Sequence, residues 1–272
     1  MTIQDKIIGK HPNDGLFYEW TDCQDTECTE IKRHRYLSEK SKNRQQAIET
    51  IAHWLVTYHL SKSKRLALCK KQKILEKYDF EEYAKSLHVF PNADKTKKGN
   101  MGEVILTEYL SQVSGINVLI FKLHYNPNVD QSMKGDDVLL VDEKKIILGE
   151  SKFRTTPSKN AVEEASKLMN NTLALPMSLG FIADILSEQG EEELAEKILD
   201  IQYKMSKNAF NVKNIAFLLS AKLVKDYVEK NMNSINKDYL FISLGIDDPA
   251  GFMESAFLRA KELLLEVSKD ES

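Results

Sequence analysis

The chain has 272 residues, 42% hydrophobic and 29% charged, enough to bury the core of one large domain or two small ones. A formal net charge of -3 excludes coating nucleic acid by bulk charge, so any contact with a polyanion must be local. With no run of eighteen apolar residues and no charged-then-apolar leader over Met1–Lys10, a cytoplasmic protein without membrane contact is expected.

The first chemistry-bearing residues in chain order are Cys23, Cys28 and His34. They suggest a zinc knuckle only weakly, because the paired C-x2-C spacing and a fourth ligand are missing. With Cys69 the cysteines number three, an odd count that predicts reduced thiols. From Arg44 to Leu60 the residues Ala47, Ile48, Ile51, Trp54, Leu55 and Tyr58 recur at spacings of three and four, which predicts an amphipathic helix. Trp54, Tyr58 and Phe90 are expected in the core. His53 and His59 lie six apart and do not share a helix face. The stretch Lys62 to Lys77 is rich in lysine and arginine and reads either as a nucleic-acid contact or as a solvated helix face, the second being favoured. Pro91 to Asn100 is polar, carries Lys95, Lys97 and Lys98, and is the best boundary. It divides a partly helical region, residues 1–95, which could bind a partner, from a second domain, residues 96–272.

Beyond it the elements alternate. A helix is expected from about Gly99 to Val113. Strands are expected at Asn117–His124, Asp137–Val141, Lys145–Phe153, Ile215–Ser220 and Tyr239–Leu244, the fourth also being readable as buried helix. Helices are expected over Ala161–Asn170, Leu179–Ser187 and Glu191–Met205, and a final one buries Phe252, Ala256, Phe257, Ala260, Leu263, Leu264 and Val267. This order implies an α/β (α+β) fold with a mixed central sheet flanked by helices.

The chemistry concentrates in a hairpin. Side chains alternate along a strand, so Ile146, Leu148, Glu150 and Lys152 share one face, as do Asp137, Leu139 and Val141 on the strand before it. If the loop is centred between Glu143 and Lys144, opposed residue numbers sum to 287 and Asp137 faces Glu150; an odd loop would put Asp136 there instead. Opposed Cβ atoms lie about 4.5–5.5 Å apart, close enough for both carboxylates to reach one Mg²⁺. Like charges forced together cost stability unless a cation lies between them. Lys152, on the same face, could neutralise the pair or steady charge on a scissile phosphate. Glu103 falls on a helix stripe with Leu106, Thr107 and Leu110, where it reads either as a fourth member of the site or as an acidic residue favoured near a helix start. The competing reading of the hairpin is a structural network of Asp137, Glu150 and Lys152.

A helix glutamate, then Gly135-Asp136-Asp137 before a strand, then Glu150-Ser151-Lys152 closing the next, resembles the PD-(D/E)xK superfamily of restriction-endonuclease-like nucleases over about Gly99 to Leu244. The resemblance implies that Asp137 and Glu150 bind Mg²⁺ (or Mn²⁺), that Lys152 positions the attacking water, and that Glu103 assists the metal. The motif's proline is absent, which leaves Asp136 as a substitute for Asp137. DNA would then contact Lys97, Lys98, Lys134 and Arg154. More narrowly, Lys134-Gly135-Asp136-Asp137-Val138-Leu139-Leu140, Leu148-Gly149-Glu150-Ser151-Lys152-Phe153 and Gly99-Asn100-Met101-Gly102-Glu103 resemble the nuclease subunits of the Hachiman anti-phage defence system. That family implies a HamB-like superfamily 2 helicase as partner. The chain itself has no G-x-x-x-x-G-K-[ST] phosphate loop, so ATP use would belong to the partner. Two other readings stand beside this one: a non-catalytic DNA-binding or adaptor subunit on the same fold, and a repair or Holliday-junction nuclease using the same site.

Overall fold

The computed structural model describes residues 1–29, 32–75, 82–83, 87–126, 128–131, 137–142, 145–169, 177–207 and 211–266. Two short helices, α1 (Ile3–Ile8) and α2 (Gly15–Trp20), precede a hairpin of β1 (Thr21–Thr29) and β2 (Lys32–Glu39). Next come α3 (Arg44–His59), α4 (Lys62–Ile74) and the long α5 (Asp94–Ser114). The second half runs β3 (Val138–Val141), β4 (Lys145–Phe153), α6 (Lys159–Met169), α7 (Met177–Glu188), α8 (Glu192–Ser206), β5 (Asn211–Ala221), α9 (Val224–Asn231), β6 (Tyr239–Ile246) and α10 (Pro249–Glu266).

The six strands form one mixed sheet in the order β1-β2-β6-β5-β4-β3. Its centre, β2, β6, β5 and β4, is parallel, and each edge is closed by an antiparallel partner. The parallel strands are covered on both faces, which is why β6 is buried along its whole length. Helices α3, α5 and α10 cover one face through a large cluster that includes Phe17, Trp20, Leu55, Leu106, Phe217 and Phe257. The other face carries α6 to α9 through a second cluster around Leu148, Val162, Ile198 and Phe241. Residues on both sides of residue 95 share the sheet and the larger cluster.

The α/β expectation with a mixed sheet flanked by helices matches this architecture. The ambiguous run Ile215–Ser220 is strand, lying between β4 and β6. Tyr58 and Phe90 are core, and Trp54 is half-buried and stacks on Phe17 at 5.8 Å. His34 is buried too, its Nε2 2.7 Å from Ser243 Oγ, and burial pushes its pKa down to about 3.

Three parts of the chain differ from expectation: α9 (Val224–Asn231), which was not anticipated, residues 117–124 and the β1–β2 hairpin. Residues 117–124 form no strand; they lead into a 3₁₀ turn at Lys122–Tyr125. The apolar run there arises because the segment contributes to both helical layers. Leu119 and Ile120 pack against the smaller cluster, while Phe121 and Leu123 join the larger one. The β1–β2 hairpin gave no hydrophobic signal, since β1 reads Thr-Asp-Cys-Gln-Asp-Thr-Glu-Cys-Thr. It is an edge strand with polar side chains, a composition that discourages edge-to-edge pairing.

Candidate active site

The hairpin register is the expected one. Val138 pairs with Gly149, Leu139 with Leu148, Leu140 with Ile147 and Val141 with Ile146, each pair summing to 287. One step further along the same register, Asp137 comes opposite Glu150. β3 begins at Val138 while β4 continues to Phe153, so no described strand lies beside residues 150–153 on that side. The Ser151 N–H there would be left without an acceptor. Asp137 supplies one: its Oδ2 accepts from the Ser151 amide at 2.7 Å and from Ser151 Oγ at 3.0 Å.

Helix α5 brings Glu103 to the same place. It begins at Asp94, so Glu103 lies in its middle and a first-turn electrostatic role does not apply. The helix sits unusually close to the hairpin because two contacts are with glycine. A Cβ on Gly102 would come within 2.9 Å of Ser151 Oγ, and one on Gly149 within 3.0 Å of Leu106 Cδ2 and Val138 Cβ. Glu103 is buried, and Lys122 Nζ lies 3.5 Å from its Oε2. Burial pushes the Glu103 carboxyl up to about 7; Lys122 pulls it back, and the charges of Asp137 and Glu150 raise it further. Lys152 Nζ bonds to Glu150 Oε1 on the shared face of β4.

The structure thus brings Glu103, Asp137, Glu150 and Lys152 into one charged neighbourhood and adds two members that sequence reasoning did not single out. Ser151 orients Asp137. Lys122 is a buried ammonium, 8% exposed, whose signal was a lysine interrupting the apolar run Val118-Leu119-Ile120-Phe121. Glu103, Lys122 and Asp137 line a narrow cleft of about 40 Å³, with Tyr58 and Thr107 on one wall and Ile182 and Ile198 on the other. That volume admits a water or an ion.

Other expected residues stand apart. Lys97 is tied to Glu254 of α10 at 3.3 Å and to Asp94 at 3.8 Å. Lys98 is half-exposed on α5. Arg154, just past β4, pairs with Glu164 of α6 at 2.6 Å. Lys134 and Asp136 lie outside the described residues.

Chemically, the neighbourhood offers three carboxylates and hydroxyl oxygens, a hard donor set suited to Mg²⁺ or Mn²⁺. Both Ser151 donors go to Asp137 Oδ2, and Oδ1 accepts no hydrogen bond from the described residues. Among the described residues no three histidine, cysteine or acidic side chains are already gathered as a ligand set, so Glu103, Asp137 and Glu150 would have to turn inward to share one cation. No described helix is long and apolar enough to cross a membrane.

Comparison with known proteins adds two findings. A family model described as HamA matches residues 14–260. The Hachiman protein HamA of Bacillus cereus is 60% identical over 268 residues, which cover 98% of this chain and 99% of that protein.

Proposed function

Given that the chain belongs to the HamA family, we propose that it is a divalent-metal-dependent DNA nuclease, the effector of an anti-phage defence complex that it forms with a superfamily 2 helicase. The observation that carries this reading is the meeting of Glu103, Asp137 and Glu150 where β4 extends past the start of β3, with Lys152 on the Glu150 face. A purely structural network would gain little from crowding a third carboxylate, buried and raised to a pKa of about 7, against two others.

In this reading Asp137 and Glu150 hold Mg²⁺ or Mn²⁺, with Glu103 assisting. A bound divalent cation supplies charge stabilisation at the phosphoryl oxygen and makes water a better nucleophile. The protein's own groups do the rest. Ser151 fixes one oxygen of Asp137. Lys152 exchanges its bond to Glu150 for one to the scissile phosphate or the attacking water and steadies the developing charge. Lys122 holds Glu103 in place. DNA would pass along Lys98 and Arg154, and Lys97 would have to leave Glu254 to join them. An unrestrained nuclease would damage its host, so the helicase partner would also mask the site.

The adaptor reading is favoured by one observation: Asp137, Glu150 and Glu103 each already engage a protein donor. The test is degradation of plasmid and single-stranded DNA by the purified chain, with and without Mg²⁺ and the helicase, beside a Glu150→Ala/Lys152→Ala variant. Metal-dependent cutting that the variant loses supports the nuclease. No cutting under any condition, with DNA or partner binding retained in the variant, supports the adaptor.

A further inference from the structure

The turn at Lys122–Tyr125 separates the cleft from a second, larger cavity of about 430 Å³. Lys122 faces the cleft, whereas the next residues, Leu123 and His124, line the cavity. Its floor is apolar, built from Leu60, Leu68, Val89, Leu123 and Val129. One wall is the face of α4 formed by Lys64, Ala67, Leu68 and Lys71, a spacing of three, four and seven that aligns them on one side of a helix. Seven residues at about 1.5 Å rise separate the two lysines by about 10 Å along the axis. Lys64 and Lys71 are exposed, and Lys71 Nζ stands 5.7 Å from the Tyr83 ring centre at the mouth. Among the described lining residues none is acidic, and His59, His88 and His124 complete the rim. Burial is the main cause lowering the His124 pKa, Lys64 and Arg65 adding to it, and His88 on the rim is paired with Asp130 at 3.0 Å.

We propose that this cavity is a nucleotide subsite, which takes a base against its apolar floor and the flanking phosphates on Lys64 and Lys71. The inference rests on reading the chain as a protein that acts on nucleic acid. An apolar floor beside two cations suits an unpaired nucleotide: a base face packs on apolar side chains without regard to sequence, and the phosphates supply the salt-dependent part of affinity. A duplex would not place a base there, because its bases are stacked inside. The position beside the cleft assigns the subsite to a nucleotide a short distance from the scissile bond. It also gives the basic face of α4 a role beyond solubility, the reading its sequence alone favoured.

The experiment is fluorescence anisotropy in EDTA with two probes, a labelled single-stranded oligonucleotide and a labelled mononucleotide, on the full chain. Lys64→Glu/Lys71→Glu is compared with the charge-matched Lys230→Glu/Lys237→Glu, far along the chain at exposed positions. Losing two phosphate contacts should lower the salt slope for a single strand by about 1.4 and weaken binding at least about tenfold, with the control pair unchanged. A loss confined to the oligonucleotide identifies a strand as the ligand; a parallel loss for the mononucleotide identifies a free nucleotide. Equal affinity of the two double variants for both probes, or no binding of either probe by the wild-type chain, overturns the subsite. Without divalent ion the readout does not depend on cutting. Binding lost in the Lys64/Lys71 variant of a chain that never cuts would therefore keep the subsite and remove the nuclease, and the converse would remove only the subsite.

Discussion

The two edges of the sheet are built alike and charged differently. At each, an antiparallel strand closes a parallel centre, and at each a cluster of acidic and basic side chains gathers. On the β1–β2 edge Arg35 is almost fully buried and spends its guanidinium on Asp25 at 2.7 and 2.9 Å, Asp5 at 2.8 Å and the Gly9 carbonyl at 2.9 Å. Burial works against the ionised form of Asp5, yet the Thr2 amide and Arg35 together hold its carboxyl below the ordinary value. On the β3–β4 edge the carboxylates outnumber two lysines that act as point charges, and Glu103 is pushed the other way, up to about 7. A planar fork satisfies several acceptors at once, whereas an ammonium 3.5 Å away does not. The first edge is a structural network and the second is the one proposed to hold a cation, and their carboxyl pKa values move in opposite directions, Glu103 mainly because it is buried.

The sharpest way to break this contrast is Arg35→Ala. Removing the buried partner of Asp5 and Asp25 should cost about 3–5 kcal/mol, because two carboxylates are left uncompensated. Urea denaturation reads it, and a loss below about 1 kcal/mol would show that the first edge is not held by this network. At the second edge the effect should fall on rate instead. Lys152→Ala should slow DNA cutting by about 10²–10³-fold, as for removal of one preorganised donor, with little change in the urea midpoint. A variant that unfolds as Arg35→Ala does while keeping its rate would reverse the assignment of the two edges.

A finer test uses pH. The folded-state pKa of Glu103, about 7, lies above its unfolded value near 4.5. Between those values the folded chain binds more protons than the unfolded one, so this residue's contribution to stability falls as pH rises from about 4.5 to 7. The change amounts to at most about 3 kcal/mol. Thermal melts should show Glu103→Gln losing this slope and gaining stability relative to wild type at pH 8. Mg²⁺ should raise the wild-type melting temperature more at pH 8 than at pH 5; equal increments at both pH values would remove Glu103 from the metal site. The smallest effect is expected for Ser151→Ala, which deletes the hydroxyl donor to Asp137 but keeps the amide. It should cost about 1 kcal/mol, a several-fold loss of cutting rate, and steady-state assays with no measurable change would mean that the amide alone orients Asp137.

Much of this was legible in the chain. The 287 register followed from counting across the Glu143–Lys144 centre, because strand pairing has period two and a hairpin loop sets the rest. The helices α3, α5, α6, α7, α8 and α10 were readable from their 3.6 spacing and β4 and β6 from dense apolar runs, whereas β5 read equally as buried helix and α9 was not anticipated. The hairpin β1–β2 was not readable either, since β1 is an edge strand with polar side chains and β2, although largely buried, is dominated by polar and charged residues such as Arg33, His34 and Arg35. Residues 117–124 misled for the opposite reason: a short apolar run created by a segment contributing to two layers is indistinguishable in sequence from a buried strand.

The candidate site divides the same way. Sequence by itself determined which side chains share a strand face, hence Glu150 beside Lys152, because that relation is local and follows from backbone period, while it left Asp136 and Asp137 as alternatives opposite Glu150. Only the tertiary structure decided that Glu103 of α5 comes within reach of the hairpin, that Gly102 and Gly149 allow the close approach, and that Lys122 lies beside Glu103. Those contacts join segments far apart in the chain, and they depend on how a helix settles on a sheet whose other edge is built by the first forty residues. Local periodicity carries no information about that packing.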